Sequence, residues 1–180
     1  MLIGVLALQG DFEAHSRMLQ DLGADVRQVR TPADLEGIDG LVMPGGESTT
    51  MTLGIKREGL ADPLRAFVAT GKPVLGTCAG MIMLDREHLG CMDTLCERNA
   101  FGRQIHSFEE DLDIPGIDGA VTAVFIRAPW LEEWGDAVEV LASVDGHPVA
   151  ARQDNMLVIS FHPEIAGENR VHALFLRDLA

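Results

Sequence analysis

The sequence predicts an α/β fold: a doubly wound, mostly parallel sheet with helices on both faces and an antiparallel extension. Three observations predict it. Short apolar runs alternate with helical patterns through the first half of the chain. Short β-like runs separated by turn signals fill the second half. An amphipathic segment then closes the chain.

The elements follow in order. Leu2–Leu8 is an apolar run that reads as a first buried strand. Asp11–Leu22 carries Phe12, Met18, Leu19 and Leu22 at helical spacing, with Asp11 placed to cap the start. Asp25–Val29 alternates like a half-buried strand. Gly40–Met43 is a third strand running into Pro44-Gly45-Gly46. Thr49–Ile55 and Pro63–Ala69 are helical, and Gly71 supplies a stop. Val74–Thr77 is a fourth strand, followed by a helix over Met81–His88. Val121–Ile126, Val138–Val144, Val149–Ala151 and Leu157–Phe161 are the later strands, with hairpin turns at Asp145-Gly146 and Asp154-Asn155. Val171–Leu179 is the closing helix. At 180 residues, with no repeat, low-complexity tract or linker, the chain is expected to form one domain.

Composition excludes several functions. A formal net charge of −14 argues against nucleic acid and against an anionic membrane as partners. Leu2–Leu8 is too short to span a bilayer, and no charged segment precedes it. The three cysteines lack CxxC spacing, and Cys91 and Cys96 have no His or Cys nearby in metal-ligand spacing. No metal site or cofactor is therefore expected, and reduced thiols fit a cytoplasmic protein.

Chemistry concentrates in three segments. The strand Val74–Thr77 leads into Gly76-Thr77-Cys78-Ala79-Gly80 and then a helical pattern, which is the layout of a nucleophile elbow with sulfur as the nucleophile. Small flanking residues permit a sharp, strained turn, and a helix N-terminus favours a thiolate. The plainer alternative is an ordinary buried cysteine. Near the C-terminus, Leu157–Phe161 ends in His162-Pro163-Glu164. Pro163 biases His162 toward extended backbone, where residues two apart share a side, so Glu164 can orient the ring. Alone, His162 could equally bond to backbone with Glu164 solvated. With Cys78, a nucleophile, a base and an orienting carboxylate are all present. Pro44–Thr50, between a strand and a helix, could bring glycine N–H groups to a developing negative charge, or be a simple connection with a capped helix.

Gly-Thr-Cys-Ala-Gly, Pro-Gly-Gly-Glu-Ser-Thr and Phe-His-Pro-Glu occur together, and the chain resembles the class I, triad-type glutamine amidotransferases, with their flavodoxin-like sheet. Gly4–Gly10, Pro44–Met51, Glu97–Gln104, Phe125–Pro129 and Ser160–Glu164 narrow the resemblance to the glutaminase subunits of pyridoxal 5′-phosphate synthases. It covers essentially the whole chain. Arg98-Asn99-Ala100-Phe101-Gly102-Arg103-Gln104 and Phe125-Ile126-Arg127-Ala128-Pro129 are its specific segments. Leu89–Asp93 is shorter than the usual family loop.

The resemblance implies hydrolysis of the glutamine side-chain amide, with Cys78 as nucleophile, His162 as base and Glu164 as its orienting group. Backbone N–H groups of Ala79 and of Gly45 or Gly46 would form the oxyanion hole. Gly46, Glu47, Ser48, Arg98, Ile126 and Arg127 would bind L-glutamine, the arginines gripping the acidic end or fixing loops that do. Arg127 is expected to be less solvated than a typical surface arginine, since it follows the apolar Val124-Phe125-Ile126. Arg103 is a further candidate. The implied partner is the synthase subunit, which would use the ammonia. Rival readings are a stand-alone cysteine hydrolase or stress protein, which would take its histidine from the elbow where this chain has Ala79; a non-catalytic scaffold, which would not need Cys78, His162 and Glu164 together; and a glutaminase serving another synthase.

Overall fold

The computed structural model describes residues 1–102 and 107–178. From the N-terminus run β1 (Leu2–Leu6), α1 (Phe12–Asp21), β2 (Asp25–Val29), β3 (Gly40–Met43), α2 (Ser48–Arg57), α3 (Ala61–Ala69), β4 (Val74–Thr77) and α4 (Ala79–Leu84). There follow β5 (Thr94–Glu97), β6 (Ser107–Leu112), β7 (Val121–Ile126), β8 (Trp130–Trp134), β9 (Glu139–Val144), β10 (His147–Gln153), β11 (Met156–Ile159), α5 (Pro163–Ala166) and α6 (Arg170–Arg177).

Seven strands form the main sheet in the order β2-β1-β3-β4-β11-β10-β9. The pairings among β2, β1, β3, β4 and β11 are parallel, and β10 and β9 add antiparallel at one edge. The expected hairpin turns are both present. His147 pairs with Val144 across Asp145-Gly146, and Gln153 pairs with Met156 across Asp154-Asn155. Asp145 and Gly146 both have positive φ, 49° and 80°, as a type I′ turn requires.

Successive strand residues feed two cores, one on each side of the sheet, as period-two geometry dictates. Leu41, Met43, Val74 and Val158 pack with Met51, Leu64 and Ile82 of α2, α3 and α4. Val42, Leu75, Leu157 and Ile159 pack with Leu19 of α1, Leu174 of α6 and Phe125 of β7. Both faces of the sheet are therefore dry, which is why β3, β4 and β11 read as unbroken apolar runs. No helix among the described residues is long and apolar enough to cross a membrane.

Four local readings change. The first strand stops at Leu6 rather than Leu8. Val121–Ile126 does not extend the main sheet but pairs with β6 in a separate two-stranded ribbon, and β5 pairs with β8 in another. β6 is Ser-Phe-Glu-Glu-Asp-Leu, mostly exposed, so it lacks the apolar signal that marks a strand. The helix after the elbow spans Ala79–Leu84, not Met81–His88. Buried Asp85 ends it, because its Oδ1 accepts the N–H groups of Glu87 (3.0 Å) and His88 (3.2 Å) and the His88 ring nitrogen at 2.7 Å. The closing helix ends at Arg177, and Leu179 lies outside the described residues.

The chain leaves β1 toward β2 on one side and toward β3 on the other. That reversal is a topological switch point, and ligands in such sheets bind beyond the carboxyl ends of the strands. The loops after β1, β3, β4 and β11 carry Asp11, Gly45–Glu47, Cys78 and His162 to that edge.

Candidate active site

The turn after β4 is a strained elbow. Cys78 has φ 47° and ψ −104°, a conformation that non-glycine residues seldom adopt. Its backbone N–H donates to the Ile159 carbonyl at 2.8 Å, so the β4–β11 ladder clamps the turn up to the cysteine itself. The flanking glycines are required by contact. A Cβ on Gly80 would lie 1.9 Å from the Met43 carbonyl oxygen, and one on Gly76 would lie 2.9 Å from the Gly80 carbonyl. Only glycine lets α4 start this close to β3 and β4.

His162 is buried at the end of β11, and its N–H donates to the Val124 carbonyl at 2.8 Å. Its Nδ1 lies 2.6 Å from Glu164 Oε1. A carboxylate only accepts, so Nδ1 carries the proton and Nε2 is left for the thiol. The expected contact is present, but not through extended backbone. Pro163 opens the helical turn α5, and Glu164 reaches back to the ring from its first turn. Proline at the first helical position suits a helix start, because its missing N–H is not needed there. Gly45 packs against the other side of the ring, where a Cβ would lie 2.7 Å from His162 Cε1.

Electrostatics fit this arrangement. Burial pushes the His162 imidazole toward neutrality, but hydrogen bonds to Cys78 and Glu164, with the charges of both, outweigh it and hold the pKa up at about 10. Burial would likewise raise the Glu164 carboxyl, yet the His162 hydrogen bond and the facing His15 and His162 hold it below its usual value. Asp11 goes the other way. Burial and the neighbouring Glu164 charge raise it, with His162 partly opposing. Asp11 sits at the N-cap of α1 but makes no capping bond; its Oδ2 lies 3.7 Å from His162 Nδ1 instead. The two remaining thiols differ from this environment, since burial raises the pKa of both Cys91 and Cys96.

Cys78 and His162 open on a cavity of about 460 Å³. All six residues expected to bind glutamine line it: Gly46, Glu47, Ser48, Arg98, Ile126 and Arg127. Ala79 lines it too, while Gly45 stands behind the ring and Glu164 behind His162. Glu47 turns out to be the helix cap. Its carboxylate accepts from the N–H groups of Thr49 (3.0 Å) and Thr50 (2.7 Å), and from Thr50 Oγ1 at 2.8 Å. These bonds, led by the Thr50 hydroxyl, hold its pKa at about 2. Arg98 Nη2 lies 3.3 Å from Glu47 Oε1 and 3.4 Å from Thr49 Oγ1, which ties the arginine to the same loop. Arg127 is exposed rather than shielded. Its φ of 45° turns the chain out of β7 and leaves the guanidinium on the cavity rim. Arg103 lies outside the described residues.

Sequence reading missed Asp11, Ile82, Asn99, Pro129 and Ile165 as lining residues. Asp11 had a signal, its place at the carboxyl end of β1, but it was absorbed by the capping role. Gln9 was also missed; its Oε1 accepts the Glu47 N–H at 2.7 Å and joins the β1 loop to the β3 loop. Asp11, His162 and Glu164 each put one possible metal-ligand atom within 4.8 Å of the others. The 2.6 Å His162–Glu164 hydrogen bond leaves no room for an ion between them.

Residues 5–180 match the SNO glutamine amidotransferase family. The pyridoxal 5'-phosphate synthase subunit PdxT of Mycobacteroides abscessus is 54% identical, over 97% of this chain and 95% of that protein. The protein of the same name from Mycolicibacterium vanbaalenii is 51% identical, over 99% of this chain and 97% of that one. A crystal structure described as a glutamine amidotransferase superposes with a TM-score of 0.92 at 44% identity, covering 98% of both chains.

Proposed function

The chain belongs to the SNO glutamine amidotransferase family, and from that premise we propose that it is the glutaminase subunit of a pyridoxal 5′-phosphate synthase. The observation that carries this reading is the shared cavity. Cys78 and His162 open on it, Glu164 backs the imidazole at 2.6 Å, and the six candidate glutamine-binding residues line it.

The chemistry follows from the groups present. Cys78 Sγ attacks the side-chain amide carbon of glutamine as a thiolate, its proton already resting on His162 Nε2 as the imidazolium. The carbonyl oxygen becomes an oxyanion held by the N–H of Ala79, at the first turn of α4 where no carbonyl partner precedes it, and by an N–H of Gly45 or Gly46. The tetrahedral centre collapses, the C–N bond breaks, and His162 returns the proton to the leaving ammonia. A thioester remains on Cys78. His162 then deprotonates water, which attacks the thioester and releases glutamate and the free thiol. Glu164 keeps the imidazole in the productive tautomer and stabilises the imidazolium.

The exposed rim of the cavity, where Arg127 and Ile126 lie, would be where a partner, the synthase subunit, docks to complete it. Ammonia released into water would be protonated and lost as a nucleophile, so docking over the site serves the reaction. The 180 residues act as one glutaminase domain, in the cytoplasm. A glutaminase for a different synthase is the second reading, and identities above 50% to proteins named as this subunit favour the first.

The test is ammonia release from glutamine, with and without a pyridoxal 5′-phosphate synthase subunit. Release should depend on that partner and vanish in Cys78→Ala while the complex still assembles. Full release by Cys78→Ala would end the nucleophile assignment, and indifference to the partner would end the subunit assignment.

A further inference from the structure

Behind the triad lies a line of buried groups that the reaction as written does not use. His15 on α1 and His172 on α6 are both fully buried. His15 Nδ1 lies 2.8 Å from His172 Nε2, and His15 Nε2 lies 3.4 Å from Glu164 Oε2 and 3.3 Å from Thr77 Oγ1. Glu164 Oε2 and His172 Nδ1 are both buried with no hydrogen-bond partner among the described residues, so the 3.4 Å approach of His15 Nε2 to Oε2 is a close electrostatic contact and not a hydrogen bond.

The protons in this line can be assigned by elimination. A bare ring nitrogen facing a carboxylate oxygen at 3.4 Å would be repelled by it, so His15 carries its proton on Nε2, where Thr77 Oγ1 at 3.3 Å accepts it. A neutral ring has one N–H, so His15 Nδ1 is bare and accepts from His172 Nε2–H. His172 Nδ1 is then bare as well. The two orphans in this line, Glu164 Oε2 and His172 Nδ1, are acceptors rather than donors, which is the cheaper kind to bury. Both rings are neutral near pH 7, because burial holds their pKa values at about 4 and about 3.

We propose that His15, braced by His172, is a positioning residue for the triad: its Nε2–H dipole faces the otherwise unpartnered second oxygen of Glu164 at 3.4 Å and keeps that carboxylate ionised and turned toward His162. The proposal rests on the glutaminase reading above. Its need comes from Asp11. Ligand atoms of Asp11, His162 and Glu164 lie within 4.8 Å of one another, and the Asp11 side chain is 47% exposed. Two carboxylates this close compete for a proton. The groups facing Glu164 are Asp11 from the start of α1, His15 from α1, His162 from the β11–α5 turn, and Thr77 from β4 through His15. Of these, His15 is the neutral donor that biases the charge onto Glu164 and leaves the proton to Asp11. Without it, Glu164 would take up a proton and release the His162 ring.

The experiment uses the glutaminase–synthase complex, with His15→Gln, His15→Asn and His15→Leu. The Gln amide can reach Glu164 Oε2, the shorter Asn amide cannot, and Leu has no donor. Asn and Leu should lower kcat by about ten- to a hundredfold with KM unchanged, since an N–H dipole facing a buried charge is lost and glutamine is not touched. The acid limb of their pH–rate profiles should move up by roughly one to two units. Gln should stay within about threefold of the parent. Melting temperature checks that each variant is folded, and Asn serves if Leu is not. Folded Asn and Leu variants with the parent's kcat and acid limb, or a Gln variant as impaired as Asn, would overturn the positioning role. A second readout needs no glutamine. The pH dependence of Cys78 alkylation by iodoacetamide should shift in the same direction in His15→Asn. If the parent complex releases no ammonia, the functional reading fails, and the alkylation profile alone decides the positioning role.

Discussion

The substitution Glu164→Gln is the sharpest perturbation of the proposed triad. In the parent, Oε1 receives the proton of His162 Nδ1 at 2.6 Å, while Oε2 faces His15 Nε2 at 3.4 Å. A carboxylate offers an acceptor to each, but an amide has one oxygen and one NH₂. Whichever way the new amide settles, one ring N–H meets a donor. Losing the charge-assisted bond costs about 1.5–3 kcal/mol, and an opposed buried donor adds about 1–3 kcal/mol. Together these give about 2.5–6 kcal/mol, or roughly seventy- to twenty-five-thousandfold in kcat/KM. The assay is ammonia release by the complex, paired with Cys78 alkylation against pH. The imidazolium, held at about 10 in the parent, should titrate closer to the free value, so the alkaline limb moves to lower pH. A variant with parental turnover and an unmoved alkaline limb would refute the orienting role of Glu164.

Three further outcomes follow from other contacts. His15 and His172 stay neutral in the fold because burial depresses them to about 4 and about 3 from 6.5. The unfolded chain therefore binds their protons first, so stability is full above pH 6.5 and is lost as pH falls through the folded values, by about 1.4 kcal/mol per pH unit for each histidine. The melting temperature should already decline between pH 6.5 and about pH 5, above ordinary carboxylate titration, and a flat profile there would contradict their burial as neutral rings. Gly45→Ala puts a Cβ 2.7 Å from His162 Cε1; turnover should drop by roughly five- to a hundred-and-fiftyfold, from about 1–3 kcal/mol of overpacking, while circular dichroism stays native. Unchanged kcat would mean the ring has room to move. Glu47→Ala removes the cap of α2 and a partner of Arg98. It should lower stability by about 0.5–2 kcal/mol and raise KM for glutamine, and an increase in denaturation midpoint would count against the cap.

The parallel half of the fold was legible because β3, β4 and β11 are buried on both faces and so stand out as unbroken apolar runs. The three strands missed, β5, β6 and β8, lie in small ribbons where one face meets water. Glu109, Glu110 and Asp111 in β6 are exposed, and no apolar alternation survives to mark them. The elbow was legible because its glycines are demanded by local contact, as the 1.9 Å approach at Gly80 shows. The His162–Glu164 contact was expected for the wrong backbone reason, since Pro163 starts a helix there instead of prolonging a strand. His15 and His172 could not be read at all. They are 157 residues apart in sequence and sit on ordinary amphipathic helices, so only packing brings them to Glu164.

Trapping the acyl-enzyme tests the central chemistry most directly. The complex would be acid-quenched during turnover of glutamine and digested, and the peptides read by mass spectrometry. A glutamyl thioester should be found on the peptide bearing Cys78 and be lost in Cys78→Ala. Glutamyl label on Cys91 or Cys96 instead, or steady glutamine hydrolysis by Cys78→Ala, would contradict the assignment of this thiol as the nucleophile.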